Sequence, residues 1–280
     1  SYQAWGVNDN YVSEEVGMQP IDVDKQYHFF NPRAGVSYTL AERNNFYLSF
    51  AVAQKEPTRS AFTDRYKFAA DDTYPSSEKL YDWELGYQYT APRLSLGVNL
   101  YYMKYKDQLV PTGMVNDDSN ALNTNVPDSY RRGVELSASW RATGWFTVGA
   151  NANFSQNRIE NYVDALKDSP TYGKELGDMT IAYSPDVIAN AFLNFHHRGF
   201  EAVFHTQHVG KQYFTNNEND ALSLDAYCVT NLNLAYTFRT RSARSVRLGL
   251  LINNLFNAEY ESNGYGYSYM NTWSGPAPVR

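Results

Sequence analysis

Residues that could perform covalent chemistry are few in this sequence, and they lie far apart. The histidines occupy five positions, namely His28, His196, His197, His205 and His208. No serine, cysteine or histidine stands in an arrangement that would support nucleophilic catalysis, so we expect no enzymatic activity. The single cysteine, Cys228, cannot form an internal disulfide. By alternation it shares a strand face with Thr230 and Leu232, which favours an inert thiol.

Metal sites are only weakly indicated by the sequence. The segments NDDSN at 116–120 and NNEND at 216–220 are rich in side-chain oxygens, and each could be interpreted as a calcium loop. Both lack the spaced ligand pattern of such a loop, so a solvated loop is the favoured interpretation. A metal or haem role for His205 is an alternative hypothesis, but a single histidine is poor support for a site. We therefore expect no bound metal and no cofactor.

The composition bears on the class of partner. A net charge of -6 and a pI of about 5.4 oppose binding to nucleic acid, which is itself a polyanion. Aromatic residues make up 16% of the chain and are led by 24 tyrosines. Rings with a polar tip are typical both of lipid-headgroup belts and of sugar-binding surfaces. The sequence has no apolar run of about 18 residues, so no transmembrane helix is predicted.

Alternation of apolar and polar residues defines the elements that must position these side chains. In FTVGANANF, at 146–154, apolar residues occupy every second place and Thr147, Gly149, Asn151 and Asn153 lie between them. A period of two predicts a β-strand with one apolar and one polar face. The pattern recurs along the chain, which predicts about ten full strands and a partial strand at the opening SYQAWG.

The connections between these strands alternate strictly between short and long. The short ones are AERNN at 41–45, PR at 92–93, TGW at 143–145, RG at 198–199 and TRSAR at 240–244. The long ones span about 54–79, 106–128, 157–180, 214–223 and 259 onward. All short turns therefore lie at one end of the strands and all long loops at the other. Aromatic residues are concentrated near both ends, as in the two girdles of a membrane barrel.

These patterns predict an all-β fold, an antiparallel up-and-down transmembrane β-barrel. We expect an incomplete barrel of about 10–11 strands with short periplasmic turns and long extracellular loops. In this interpretation Phe146, Val148 and Ala150 face lipid, while Asn151 and Asn153 face a polar lumen. Two alternatives are a soluble, aromatic-rich β-sandwich that binds carbohydrate, and a barrel that serves as a passive porin or an adhesin.

Four motifs resemble the C-terminal part of the barrel of TonB-dependent outer-membrane receptors. They are FFNPRAGVSYTL from Phe29, AVAQKEPTR from Ala51, YRRGVELSASW from Tyr130 and INNLFNAEYES from Ile252. Their order and spacing resemble the family across nearly all of the chain. The stretch NGYGYSY that follows the last motif is similar to receptors of Bacteroidetes-type bacteria.

The resemblance implies a receptor in the outer membrane of a Gram-negative bacterium that takes up a scarce, bulky nutrient. A ferric siderophore is the commonest cargo in the family, with haem, cobalamin and an oligosaccharide as alternatives. The implied partners are outer-membrane lipid and lipopolysaccharide, a plug domain of the same polypeptide, and the TonB–ExbB–ExbD complex. We expect residues 1–280 to form one partial barrel domain that lacks the plug domain and the final strand.

Strand parity selects the residues of the barrel wall that could contact cargo or plug. They are the polar residues that face the lumen in the strand halves nearest the long loops. The candidates are Lys55, Tyr101, Arg131, Asn153, His205 and Gln207. The alternative is that these side chains hydrogen-bond only to the plug or to water.

Overall fold

Sixteen β-strands build the part of the chain that the computed structural model describes, which is residues 2–13, 19–58, 61, 75–115, 121–166, 169–240, 244–264 and 268–269. In chain order they are β1 (Tyr2–Ser13), β2 (Gln19–Phe30), β3 (Arg33–Leu40), β4 (Asn44–Lys55), β5 (Glu78–Thr90), β6 (Leu94–Val115), β7 (Ala121–Arg141), β8 (Phe146–Ile159), β9 (Met179–Thr180), β10 (Val187–His197), β11 (Phe200–Val209), β12 (Gln212–Tyr213), β13 (Ser223–Leu224), β14 (Tyr227–Phe238), β15 (Val246–Ile252) and β16 (Ser268–Tyr269). A short 3-10 turn covers Asp220–Leu222.

Ten of these strands follow one another across a single antiparallel sheet. The order is β15-β14-β11-β10-β8-β7-β6-β5-β4-β3, while the short strands β9 and β16 attach to β8 and β6. Within this path each strand pairs with its nearest long neighbours in the chain, and the two strands at its ends have one partner each. This arrangement confirms the predicted up-and-down topology of about ten strands, and it leaves β15 at one edge of the sheet and β3 at the other.

The short connections are tight turns of a kind that suits twisted hairpins. Arg198 and Gly199 join β10 to β11 with φ angles of 47° and 88°, which is the left-handed backbone that a type I′ turn requires at both central positions. Ala41 and Glu42, between β3 and β4, also have positive φ angles of 51° and 59°. These turns all lie at one end of the sheet, which we call the short-turn end.

One face of the sheet, the apolar face, carries the residues that the alternation predicted to meet lipid. Strand register aligns its side chains in continuous rows, such as Leu48, Leu85, Leu100, Val134, Phe154 and Val187. Leu85 is 51% exposed and Leu48 is 52% exposed. A sandwich would bury these side chains against a second sheet, so the sandwich alternative is wrong.

The other face, the polar face, carries the intervening residues. One of its rows contains Asn45, Gln88, Gly97, Ser137, Asn151, Asn190 and Gln207. Asn190 donates a hydrogen bond to Asn151 at 3.2 Å within this row. The predicted separation into two faces is therefore confirmed. In the described residues, no helix is long and apolar enough to cross a membrane.

Most buried side chains lie not between layers but at the opposite, long-loop end of the sheet. One cluster combines the ends of β6 and β7 with two loops, and it contains Met114, Leu122, Leu166, Phe214, Leu222 and Leu224. A second contains Val110, Val126, Ile159, Tyr162 and Ile181. We call these strand ends, together with residues 160–166, 169–186 and 210–226, the loop cap. It has its own apolar core.

Two sequence-based expectations about this region are wrong. Residues 106–128 were expected to form a loop, but β6 continues to Val115 and β7 starts at Ala121. The cause is tertiary, because Val110 and Val126 are buried in the loop cap. The segment NDDSN at 116–120 lies outside the described residues.

The second error concerns NNEND at 216–220. This segment is not a solvated loop, because its side chains hydrogen-bond to neighbouring strands and loops. The amide oxygen of Asn216 accepts a hydrogen bond from the backbone N–H of Ala182 at 2.7 Å, and its amide nitrogen donates to the carbonyl of Pro111, also at 2.7 Å. Glu218 accepts from the backbone N–H of Thr180 at 2.9 Å and from Arg158 at 3.2 Å. Only the end of the segment is exposed, where a hydrogen bond from Lys211 lowers the pKa of Asp220.

The N-terminal residues form more than the expected partial strand. β1 pairs with β2 along its full length in a separate two-stranded sheet, and β2 was not predicted. At the end of β2, the Tyr27 hydroxyl donates to the carbonyl of Pro75 at 3.1 Å. Phe29, in the first motif quoted above, is almost fully buried.

The two faces should respond differently to charge. We expect Ala150→Arg, on the apolar face, to impair folding of the full-length receptor in lipid vesicles, because arginine in the bilayer midplane costs about 2–4 kcal/mol. Asn151→Arg, one residue along β8, should fold nearly as well as the wild type. Folded fractions can be compared by heat-modifiable migration on gels. Equal yields for the two variants would contradict the assignment of the faces.

The loop cap should depend on the buried amide of Asn216. We expect Asn216→Ala to destabilise the cap by about 1–3 kcal/mol, because it removes the partner of the buried N–H of Ala182 and of the part-buried carbonyl of Pro111. The measurement is the rate at which a protease cleaves loops 160–186 and 210–226 in the folded receptor. Asn263→Ala, at an exposed position, is the matched control. Equal cleavage rates for both variants would show that Asn216 does not hold the cap.

Candidate ligand-facing site

Three of the six sequence-predicted candidates meet on the polar face near the loop cap. Tyr101 on β6, Arg131 on β7 and Asn153 on β8 line one recess of about 330 Å³. The Tyr101 hydroxyl donates a hydrogen bond to the side-chain oxygen of Asn153 at 3.0 Å, across the intervening strand. The recess opens toward the polar face, where a barrel encloses its lumen.

A glycine on β7 makes the contact between Tyr101 and Asn153 possible. Gly133 lies directly opposite Tyr101 in the register. A Cβ atom at this position would lie 2.6 Å from the Tyr101 hydroxyl oxygen and 2.4 Å from the Phe154 carbonyl oxygen. These separations are far below van der Waals contact. The ring of Tyr101 therefore crosses β7 only because that residue has no side chain.

An aromatic ring lies over a glycine at two other places on the polar face. Tyr47 lies over Gly86, where a Cβ would be 2.0 Å from the ring, and Phe192 lies over Gly149, where it would be 2.4 Å away. Each aromatic residue lies directly opposite its glycine on the adjacent strand. The rings thus lie flat against the wall instead of projecting from it.

Arg131 is held by neutral partners. Its guanidinium donates to the side-chain oxygen of Asn157 at 3.4 Å and to the Ser184 hydroxyl at 3.2 Å. No carboxylate lies within ion-pair distance of Arg131 in the ranges that the structure describes. The hydrogen-bond partners described for its guanidinium are therefore neutral side chains.

The recess also contains two carboxylates, level with Tyr101 and Asn153 in the strand register. Glu84 and Glu135 line it together with Asn99, and Asn99 donates to Glu135 at 3.3 Å. Two of the side-chain oxygens nearby, one of Asp82 and one of Asn99, are buried without a hydrogen-bond partner in the described residues. Buried acceptors are normally satisfied, so this part of the wall suits hydrogen-bond donors from another element.

The other three candidates lie elsewhere on the polar face. Lys55 is exposed at the end of β4, where it lies opposite Glu78 in the strand register. His205 on β11 is exposed and lies opposite Phe192, and Gln207 lies opposite Asn190. None of the three lines the recess around Tyr101. In the described part of the chain, no group of three or more His, Cys, Asp or Glu side chains could hold a metal ion.

Sequence reasoning missed several residues of the recess. Glu84 and Glu135 share the parity of the selected candidates, so their position on the polar face was predictable. Tyr183 and Ser184 lie in the loop between β9 and β10. A loop has no regular alternation of apolar and polar residues from which the direction of a side chain could be predicted. Together the recess offers a guanidinium, hydroxyls, amides and carboxylates, a set suited to non-covalent recognition of a polar ligand.

Comparison with known proteins identifies a family. The profile described as "TonB dependent receptor-like, beta-barrel" matches residues 4–255. The pesticin receptor of Yersinia pestis is 24% identical over 204 residues, which cover 72% of this chain and 27% of that protein. The chain thus spans about a quarter of the length of the curated relatives it matches.

Solved structures agree in fold. The ferric yersiniabactin uptake receptor FyuA from Yersinia pestis superposes with a TM-score of 0.63 at 20% identity, over 94% of this chain and 38% of that one. The copper transporter OprC superposes with a TM-score of 0.69 at 18% identity, over 95% and 41%. At these identities the likeness concerns the fold alone.

The contact between Tyr101 and Gly133 yields a test of the wall. We expect Gly133→Val to lower the stability of the folded full-length receptor by about 1–3 kcal/mol or more, because the new side chain overlaps the Tyr101 ring and the backbone of β8. The midpoint of heat-induced unfolding measures the effect. Gly144→Val, at a turn where a Cβ meets nothing within 4 Å, should change it little. A midpoint unchanged by Gly133→Val would refute the packing described.

Proposed function

Because the chain belongs to the TonB-dependent receptor-like β-barrel family of Gram-negative outer-membrane receptors, which are transporters rather than enzymes, we propose that it forms part of the wall of an uptake receptor for a ferric siderophore. In this proposal, TonB with ExbB and ExbD supplies the work of transport through parts of the protein outside this chain. A plug domain of the same polypeptide gates the lumen.

The observation that carries the cargo proposal is the recess beside Arg131. Ferric siderophore complexes are bulky, and many are anionic, with oxygen atoms on their surface that accept hydrogen bonds. Arg131 presents a cation without a carboxylate partner in the described ranges, and Tyr101 adds a hydroxyl beside it. Charge-assisted hydrogen bonds of this kind are about twice as strong as neutral ones.

Names of similar proteins support the same class of cargo. FyuA is called a ferric yersiniabactin uptake receptor, and another similar structure is called the siderophore receptor PiuA from Acinetobacter baumannii. OprC is called a copper transporter, which makes a different metal the second candidate cargo. In the described residues the absence of a group of metal-ligating side chains favours recognition of a chelate over recognition of a bare ion.

The plug is the proposed partner of three buried side-chain oxygens on the polar face. The unsatisfied oxygens of Asp82, Asn99 and Asn194 all lie on the polar face by register. Donors from a plug domain would satisfy them, as buried acceptors require. His205, Gln207 and Lys55 remain proposed contacts of the wall with plug or cargo.

Uptake by cells that carry the full-length receptor as their only siderophore receptor tests the proposal. Radiolabelled iron is supplied as ferric catecholate, ferric hydroxamate or a mixed-ligand complex, with and without TonB. We expect TonB-dependent uptake of one of these complexes. Arg131→Ala should weaken its binding about tenfold or more, since a hydrogen bond to a charged group contributes about 1.5–3 kcal/mol. Lys174→Ala, on an exposed loop, is the control. Uptake that does not require TonB would contradict an energy-coupled receptor.

A further inference from the structure

Positive charge is concentrated at the short-turn end of the sheet. Eight of the 24 basic residues, but only two of the 30 acidic residues, lie in the five short turns or within two residues of them. All eight are arginines, and every lysine of the chain lies elsewhere. They are Arg43, Arg93, Arg141, Arg198, Arg239, Arg241, Arg244 and Arg247. This end is therefore positive, whereas the chain has a net charge of -6.

Each of the five short turns carries at least one of these arginines. Consecutive turns are two strands apart in the sheet order. Neighbouring strands are about 4.8 Å apart, so the turns repeat about every 10 Å and the row of turns extends about 40 Å. We call the described arginines of this row the arginine rim, which consists of Arg43, Arg93, Arg141, Arg198, Arg239, Arg244 and Arg247.

The rim is exposed, and most of its cations have no acidic partner. All seven residues of the rim are exposed. Arg247 donates to Glu201 at 2.7 Å. Among the residues that the structure describes, no other arginine of the rim lies within ion-pair distance of a carboxylate. Cations about 10 Å apart still repel each other partly, because the Debye length is about 8 Å at physiological ionic strength. An anionic partner would remove this repulsion.

The rim does not belong to the surface that meets lipid. At the end of β7, Arg141 lies on the polar face, opposite Thr147 on β8. On β15, Arg247 lies on the polar face as well, opposite Thr237. Other members of the rim lie in the turns themselves. These cations therefore meet the aqueous phase beyond the strand ends, which is the periplasm in outer-membrane barrels.

The use of arginine restricts the kind of anion that the rim fits. A guanidinium presents a planar fork of N–H donors that matches a carboxylate or a phosphate, whereas the ammonium group of lysine is a point charge. All five turns end strands of one sheet, so the row of cations runs along the membrane surface. A long row with a regular repeat matches an extended polymer with regularly spaced anionic groups better than it matches a compact acidic protein.

We propose that the arginine rim binds peptidoglycan, the polymer that lies beneath the outer membrane and carries peptide carboxylates at regular intervals along its glycan strands. Carboxylates of neighbouring peptides accept hydrogen bonds from arginines of neighbouring turns. A single exposed ion pair contributes little, but linked pairs reinforce each other because the later contacts form within one complex. The proposal requires only that the short turns face the periplasm, and it does not depend on the cargo.

The test measures how purified full-length receptor in detergent co-sediments with peptidoglycan sacculi that have been freed of protein. The triple variant Arg43→Gln, Arg93→Gln and Arg198→Gln changes only exposed residues in turns. It should bind the sacculi about tenfold more weakly than the wild type, at about twofold for each exposed ion pair removed. At about 1 M salt, where the Debye length is about 3 Å, the wild type should be released.

Controls separate recognition of carboxylates by the rim from misfolding and from a general effect of charge. The variant Lys79→Gln, Lys106→Gln and Lys174→Gln removes the same charge away from the short-turn end, and it should bind sacculi like the wild type. Heat-modifiable migration on gels shows whether each variant is folded. Sacculi whose carboxylates have been amidated should bind the wild-type receptor about tenfold more weakly.

Two results would overturn the proposal. One is equal binding of untreated sacculi by the folded arginine variant and by the wild type. If that variant instead loses binding to phosphatidylglycerol vesicles while it retains the sacculi, the rim is a lipid contact. The other is wild-type binding that amidation of the sacculi leaves unchanged, since the carboxylates would then not be the group that the arginines recognise.

Discussion

Backbone hydrogen bonding in an apolar solvent is the constraint on which the rest of this structure depends. Each unpaired N–H or C=O group in hydrocarbon costs several kcal/mol, so a chain that crosses a membrane as strands must pair each strand with its neighbours. The ten-strand path from β3 to β15 does this by joining strands in sequence order. Strands that are neighbours both in the chain and in the sheet can be joined by tight turns, because two or three residues suffice to reverse the chain.

Pairing also dictates how the polar face acquires its geometry. Side chains that lie opposite each other in register are forced close together, and three aromatic residues on this face lie opposite glycines. The glycine lets each ring lie along the wall rather than across the lumen. For Tyr101 this has a chemical result, since the hydroxyl reaches Asn153 two strands away. A barrel wall can thus place a polar group accurately without any second layer behind it.

The loop cap completes the site from above. Its apolar clusters hold the ends of β6 and β7 against residues 160–166, 169–186 and 210–226. Glu218 ties one loop to Thr180 and Arg158, and Asn216 ties it to Ala182. Ser184, two residues beyond Ala182, contacts Arg131. The position of the guanidinium in the recess therefore depends on the packing of the cap as well as on β7, the strand that carries Arg131.

The sequence by itself determined the presence of the ten long strands from β3 to β15, their order and the face of each of their side chains. Because side chains alternate between the two faces of a strand, an apolar face fixes the direction of every side chain in it. A shift by one residue would exchange the faces throughout. It also placed Tyr101, Arg131 and Asn153 on the polar face. Only the tertiary structure decided that these three residues meet, whereas His205 and Lys55 lie apart, because proximity depends on the register between strands. Only the tertiary structure, again, turned 106–128 and NNEND into parts of a packed cap, since loops have no period and their burial depends on distant partners such as Ile159 and Pro111.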